Sequence, residues 1–386
     1  MRSQPIYYPQ EAVSPKYFAG RDNIVSQFKR ILGAATSGRA ENAAIYGARG
    51  IGKTSLLFKV REMTPASCFT VYYAAPQEMG PKEFVEDILQ KMELQYKKEL
   101  SKYKSFLEKI KGLPSKIEEF SLFELAVALR KDQKSPQIAF MDGILKFRER
   151  GFESLYMFID EADLLADEVL AMMRNTLQEV RGPPYSFPAG VIVAGKEDLL
   201  RRLTGKLSPI ARFFSTHRFE LQALTLDETR DALILPAKEL GIRWQSGAID
   251  FVYTASKGFP FIVQLYGKYA LDHSDSPKVD LGDVKDAHAD VLSEVGSWYE
   301  VGWKEEPSPR ELQVLLAVAR LGGSGTYSAI KNKVGIEVAI FLRRLVAKRC
   351  LLQDEGRDQY YLPHPLAGDY LTVRYRRSAK STRQRT

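Results

Sequence analysis

Ala43-Ala44-Ile45-Tyr46, followed at once by Gly47-Ala48-Arg49-Gly50-Ile51-Gly52-Lys53-Thr54, decides how this chain folds. The first four residues read as a short buried strand. The next eight fit G-x-x-x-x-G-K-[ST], and Leu56, Leu57 and Val60 continue at helical spacing. Glycine lets the backbone turn tightly, so successive N–H groups face a phosphate at the positive end of the helix. Lys53 is placed to bridge β- and γ-phosphates, and the Thr54 hydroxyl to ligate Mg²⁺. The expected nucleotide contacts are Gly47, Gly50, Ile51, Gly52, Lys53, Thr54 and Ser55.

Such a loop needs a carboxylate from the end of a second buried strand. Leu155-Tyr156-Met157-Phe158-Ile159 supplies the strand and Asp160-Glu161 follows directly. Asp160 is the expected Mg²⁺ ligand, largely through water, and Glu161 the residue that polarises the attacking water. Phe69 to Ala75 and Val191 to Ala194 read as further strands, apolar enough to be buried on both faces as in parallel sheets. Helical patterns lie between them, so an α/β core is expected. Asp22 reads as the N-cap of a helix carrying Ile24, Phe28, Ile31 and Leu32.

From Leu226 to Trp303 only helical patterns are evident, and Glu305-Glu306-Pro307-Ser308-Pro309 reads as a linker. Residues 309 to 363 read as a winged helix-turn-helix. Thr326 caps its second helix, the third runs from about Ile336 to Arg349, and a hairpin turns around Asp354-Glu355-Gly356-Arg357. The expected division is an ATPase α/β domain over 1–222, a helical lid over 223–304, a winged helix over 305–373 and a basic tail over 374–386.

The chain's 386 residues exceed one ordinary core. It contains no run of apolar residues long enough for a membrane span, and the start lacks the apolar core of a signal peptide. Cys68 and Cys350 are the only cysteines, which excludes a disulfide framework and fits a reducing, cytoplasmic setting. The net charge of +8 is uneven: 15 of the Lys/Arg and 6 of the Asp/Glu lie from Pro307 onward. That excess points to an acidic partner at the C-terminal end, or to a solvated tail.

On these motifs the chain resembles the AAA+ and STAND ATPases, and prokaryotic relatives of the Orc1/Cdc6 initiators in particular, over roughly Tyr17 to Leu371. Phe18-Ala19-Gly20-Arg21-Asp22 resembles the family's box ahead of the phosphate loop, which implies that Arg21 lies near the adenine. Ser208-Pro209-Ile210-Ala211-Arg212-Phe213 resembles the segment bearing the arginine finger. Arg212 is the first choice for that role and Arg218 the second. The resemblance implies that this arginine reaches the γ-phosphate of a neighbouring subunit, hence a homo-oligomer in the ATP state. Gly195 stands where the family usually has a polar sensor, with Lys196 beside it. Gly258-Phe259-Pro260 resembles the G-x-P motif of STAND switches, implying that Pro260 lies against the adenine.

The resemblance leaves two roles open for the C-terminal module. In one, Arg343, Arg344, Lys348 and Arg349 contact double-stranded DNA. Against it stand the acidic wing tip and Ile336, Glu337 and Val338 at the start of the third helix. In the other, the module is an intramolecular latch of a signalling switch that acts on a protein partner, and His364 is a candidate contact to bound ADP.

Overall fold

Five parallel strands lie in the order β2-β3-β4-β1-β5. They are β1 (Ala43–Tyr46), β2 (Cys68–Ala74), β3 (Ser154–Asp160), β4 (Ala189–Gly195) and β5 (His217–Glu220). The computed structural model describes residues 6–77, 79–100, 103, 121–204, 211–353 and 358–383; the side chains of 197, 198, 204, 211, 212 and 376–383 lie outside that description. Contacts divide the chain into two units, one of Ala12–Gln222 and one that joins Met1–Glu11 to Ala223–Thr386.

In the first unit every residue of β3 and β4 is buried, as expected of strands covered on both faces. β1 sits between β4 and β5, with Ile45 opposite Ala194 on one side and Phe219 on the other. The helices are α1 (Asp22–Thr36), α2 (Lys53–Glu62), α3 (Pro81–Lys98), α4 (Phe123–Arg130), α5 (Pro136–Glu149), α6 (Asp167–Arg181) and α7 (Glu197–Thr204). Phe69 of β2 stacks on Phe147 of α5 at 3.8 Å between ring centres, within a core of Phe84, Phe140, Phe152 and Leu155. Because parallel strands all point one way, the segments after β1 and β3 emerge at one end of the sheet. The phosphate loop and Asp160-Glu161 therefore meet there. Strand β5 escapes a pattern reading because only Phe219 of its four residues is buried.

The second unit opens with α8 (Leu226–Lys238), α9 (Ser246–Ser256), α10 (Pro260–His273), α11 (Leu281–Asp286) and α12 (His288–Val301). It is not purely helical: β6 (Arg243–Trp244) and β7 (Lys278–Val279) pair in parallel. Two residues per strand are too few for a periodic signal. The chain's own start folds here. Tyr7 is 2% exposed, its hydroxyl donates to the Leu233 carbonyl, and it accepts from Trp244 Nε1 at 3.0 Å.

The same unit continues through α13 (Pro309–Arg320), β8 (Ser324–Thr326), α14 (Tyr327–Val334), α15 (Ala339–Ala347), β9 (Leu352–Gln353), β10 (Gln359–Tyr361) and α16 (Ala367–Arg383). The three strands form an antiparallel sheet in the order β8-β10-β9. Val314, Leu315, Val318, Ile330, Leu342 and Leu345 form the core beneath. Thr326 caps α14 as expected, its Oγ1 accepting from Ala329 N at 3.3 Å. Helix α15 is shorter than expected at both ends: Lys348 is its C-cap and Arg349 takes φ 61°. The segment 374–386 does not begin as a separate tail, since α16 runs without a break to Arg383. The expected wing tip, 354–357, lies outside the described residues.

Candidate nucleotide site

Gly47, Gly50 and Gly52 all take positive φ (146°, 79° and 89°), the region where a side chain is disfavoured. At Gly47 space forbids one as well, because an added Cβ would lie 3.0 Å from the Leu221 carbonyl oxygen. The loop thus closes into a turn whose last glycine is the N-cap of α2. Ile51 is 3% exposed and anchors the loop from within. Lys53 Nζ folds onto the loop itself, donating to the carbonyls of Gly47 at 2.8 Å and Ala48 at 2.9 Å.

The two halves of the site converge on one point. Thr54 Oγ1 donates to Asp160 Oδ2 at 2.5 Å across 106 residues of sequence. Asp160 is buried, and its Oδ1 accepts from the Glu161 N–H at 2.9 Å. Glu161 has φ 51°, a left-handed conformation rare outside glycine, and its side chain is exposed. Non-glycine residues held this way cluster at functional sites. Among the described residues no cluster of three or more His, Cys, Asp or Glu could hold a metal alone. One hydroxyl and one carboxylate, completed by substrate phosphates and water, is instead the donor set Mg²⁺ favours.

One expectation changes here, the cap of α1. Asp22 is not the N-cap of α1; Arg21 is, in the left-handed region at φ 62°. The Arg21 guanidinium reaches the loop's backbone, with Nη2 donating to the Ile51 carbonyl and Nη1 to Gly52 at 3.4 Å. It braces the phosphate loop. Ser55 Oγ likewise accepts from Val13 N at 3.1 Å and so holds the incoming chain against α2. An added Cβ at Gly195 would fall 2.8 Å from Asp163 Oδ1, leaving no space for a sensor side chain there. Lys196 is drawn to that carboxylate, with its N–H at 3.0 Å and its Nζ at 3.5 Å.

One residue had no sequence signal. Tyr72 Oη donates to Asp160 Oδ2 at 3.2 Å, the oxygen that Thr54 also uses. The Gln95 side chain fixes the Tyr72 backbone, accepting from its N–H at 2.9 Å and donating to its carbonyl at 2.6 Å. Burial, followed by the Asp160 charge, raises the Tyr72 pKa well above the ordinary phenol value, so it stays a donor.

Residues 17–187 match a family model described as an AAA ATPase domain. This segment is an AAA ATPase domain. Structures similar to the chain include the Aeropyrum pernix ORC2 protein in its ADPNP–ADP complexes. It has 14% identity and a TM-score of 0.60, over 92% of this chain and 94% of that one. A Walker-type ATPase of Pyrococcus abyssi is also similar, at 16% identity and a TM-score of 0.57, over 92% and 97% of the two chains. An uncharacterised HTH-type transcriptional regulator of Methanocaldococcus jannaschii is 22% identical over 335 residues, 82% of this chain and 78% of that protein. The phosphate loop and strands β1 to β3 lie within the matched residues.

The AAA domain holds Lys53 in an unusual protonation range. Burial pushes its pKa down to about 8, against the opposing pull of Asp160 and Asp163. A nucleotide phosphate favours the charged form. Below about pH 8 the ammonium is already present and affinity is flat. Above it each bound nucleotide must bring a proton, so affinity falls by up to about tenfold per pH unit. Calorimetry of ADP binding between pH 7 and 9.5, in buffers of different ionisation heat, is expected to show proton uptake that grows through this range.

The remaining candidates stand on other elements. Arg212 is on a 3-10 turn, Ala211–Phe214, with its side chain outside the description; Ser208 to Ile210 lie outside it altogether. Arg218 is exposed on β5. Pro260 is the first residue of α10 in the second unit. Arg343, Arg344 and Arg349 are exposed there. Lys348 is not available as the sequence suggested: its Nζ donates to the Glu311 carboxylate at 3.1 Å and the Glu306 carbonyl at 3.1 Å. Glu311 is 1% exposed, so this lysine supplies the counter-charge of a buried acid.

Proposed function

We propose that the chain is a Mg²⁺-dependent, ATP-hydrolysing switch that assembles with further copies of itself in the ATP state and grips double-stranded DNA through a C-terminal winged helix. The observation that carries the hydrolytic part is the 2.5 Å approach of Thr54 Oγ1 to Asp160 Oδ2. When bound, the metal supplies charge neutralisation between β- and γ-phosphates. Thr54 and Asp160 would hold it, Lys53 would leave the loop carbonyls for the phosphates, and Glu161 would orient and polarise the attacking water. Arg212 is the residue offered to a neighbouring subunit. The direct test is nucleotide binding by Lys53→Ala: unchanged affinity would remove the site.

Tyr72 belongs to this machinery as a positioning residue, since it fixes the carboxylate that would face the metal. Partners of metal ligands typically contribute about 10–100-fold to metal affinity or activity. Tyr72→Phe is expected to lower turnover by about tenfold at saturating ATP. ADP affinity without Mg²⁺ should stay unchanged, and calorimetry reads it.

DNA contact is supported by the HTH-type relative and by the exposed Arg343, Arg344 and Arg349. Phosphate contacts release counterions, so affinity must fall steeply with salt. In a titration of duplex DNA across a salt series, Arg343→Ala or Arg344→Ala is expected to flatten the log–log slope by about one each. A second reading, an intramolecular latch without a nucleic-acid role, is favoured by His364. Its ring lies 4.1 Å from Trp298 of α12 and 5.8 Å from Phe259, beside Pro260. Salt-insensitive or undetectable DNA binding selects the latch. Among the described residues no helix is long and apolar enough to cross a membrane.

A further inference from the structure

The N-terminal ends of β1 and β5 frame a cavity of about 480 Å³, at the end of the sheet opposite the phosphate loop. That volume is within the range of small-molecule sites. Its lining is polar and carries two guanidinium groups, Arg174 and Arg181, with His217, Asn42 and Phe213 around them. Glu41 also lines it, but this carboxylate is engaged by His217 Nε2 at 2.6 Å.

Arg181 is the informative residue. It is partly buried, and its partners are neutral: Nε donates to the Ala189 carbonyl and Nη2 to Asn42 Oδ1, both at 2.6 Å. Its guanidinium also lies over the Phe213 ring at 5.3 Å. Among the described residues no carboxylate pairs with it, and its Nη1 has no hydrogen-bond partner. Burial pushes its pKa down to about 10, a sign that the charge is poorly compensated. An uncompensated buried cation is unfavourable; Arg174 on the same wall adds like charge while its Nε and Nη2 donate to Asn175 Oδ1 at 3.1 and 2.6 Å.

The floor beneath is already rigid. Asn42 is 7% exposed; its Oδ1 also accepts from Val191 N at 3.1 Å and its Nδ2 donates to the Phe213 carbonyl at 3.3 Å. A planar guanidinium fixed by two neutral acceptors, beside an open polar cavity, presents its remaining edge in the geometry that carboxylate and phosphate oxygens accept. We propose that this cavity is a second binding site, distinct from the nucleotide loop, for a small ligand bearing an oxyanion, held by Arg181 and attracted by the charge of Arg174.

The test uses the full chain, saturated with Mg²⁺-free ADP so that the phosphate loop is filled. Inorganic phosphate in one arm and malonate in the other are titrated by calorimetry. Saturable one-site binding of either is expected, with affinity at least tenfold weaker in Arg174→Glu. Arg174 is chosen because it is partly exposed, and an unchanged ADP affinity verifies the fold of the variant. Binding of phosphate alone defines a phosphate site; binding of both defines a general oxyanion site. Repeating the titration in Lys53→Ala separates this cavity from the loop. Binding lost in Lys53→Ala but kept in Arg174→Glu overturns the proposal, as does the absence of saturable heat in both arms.

Discussion

Glu161→Gln is expected to lower ATP turnover by about 10²–10⁴-fold, the usual contribution of a positioned general base, while nucleotide affinity stays near wild type. The geometry separates the two quantities. Asp160 uses both oxygens inside the protein, Oδ2 for Thr54 and Tyr72 and Oδ1 for the Glu161 N–H. Glu161 spends only its backbone on that network, and its carboxylate remains exposed beside the loop. The amide keeps the shape and the left-handed backbone at φ 51° but cannot take a proton. Single-turnover hydrolysis alongside equilibrium binding checks this. A variant that hydrolyses at the wild-type rate would assign the water's activation to another group.

Gly258→Ala is expected to destabilise the second unit by about 3 kcal/mol or more, combining an overpacked contact with an unfavourable backbone. Gly258 has φ +71°, and an added Cβ would overlap the Leu224 carbonyl oxygen while lying 2.9 Å from its carbon and 3.1 Å from its nitrogen. The backbones are also bonded, Leu224 N to Gly258 O at 2.8 Å, so neither can retreat alone. The glycine of the Gly-Phe-Pro turn is therefore required by the seam between Leu224 and α10, whatever Pro260 touches. Gly335→Ala is the control. That glycine has φ +80° with nothing within 4 Å of the added atom, so only the backbone term of about 1–2 kcal/mol applies. Thermal unfolding of both variants gives the difference, and equal losses would remove the steric argument.

The phosphate loop and Asp160 were legible because each motif is local, a few residues beside an apolar strand. What escaped depends on which distant segments meet. Tyr72 reaches Asp160 only because β2 pairs with β3 in a register that sets Ala74 opposite Asp160. Lys348 seemed a surface cation until folding brought it to Glu311, 37 positions away. Arg21 was readable as part of a box but not as a brace, since nothing in Phe18-Ala19-Gly20-Arg21-Asp22 says that its N-cap backbone turns left-handed towards Ile51. Strands β6 to β8 have two or three residues each, shorter than a periodicity can register.

The path of the chain's first residues has a consequence for truncation. Tyr7 is moored to Leu233 and Trp244, and Val13, six positions later, is moored to Ser55, the neighbour of Thr54 on the helix that follows the phosphate loop. The polypeptide thus crosses between its two units twice, once here and once near Gln222. A fragment beginning at Ala223 would therefore lack Tyr7, which that unit buries against Leu233 and Trp244.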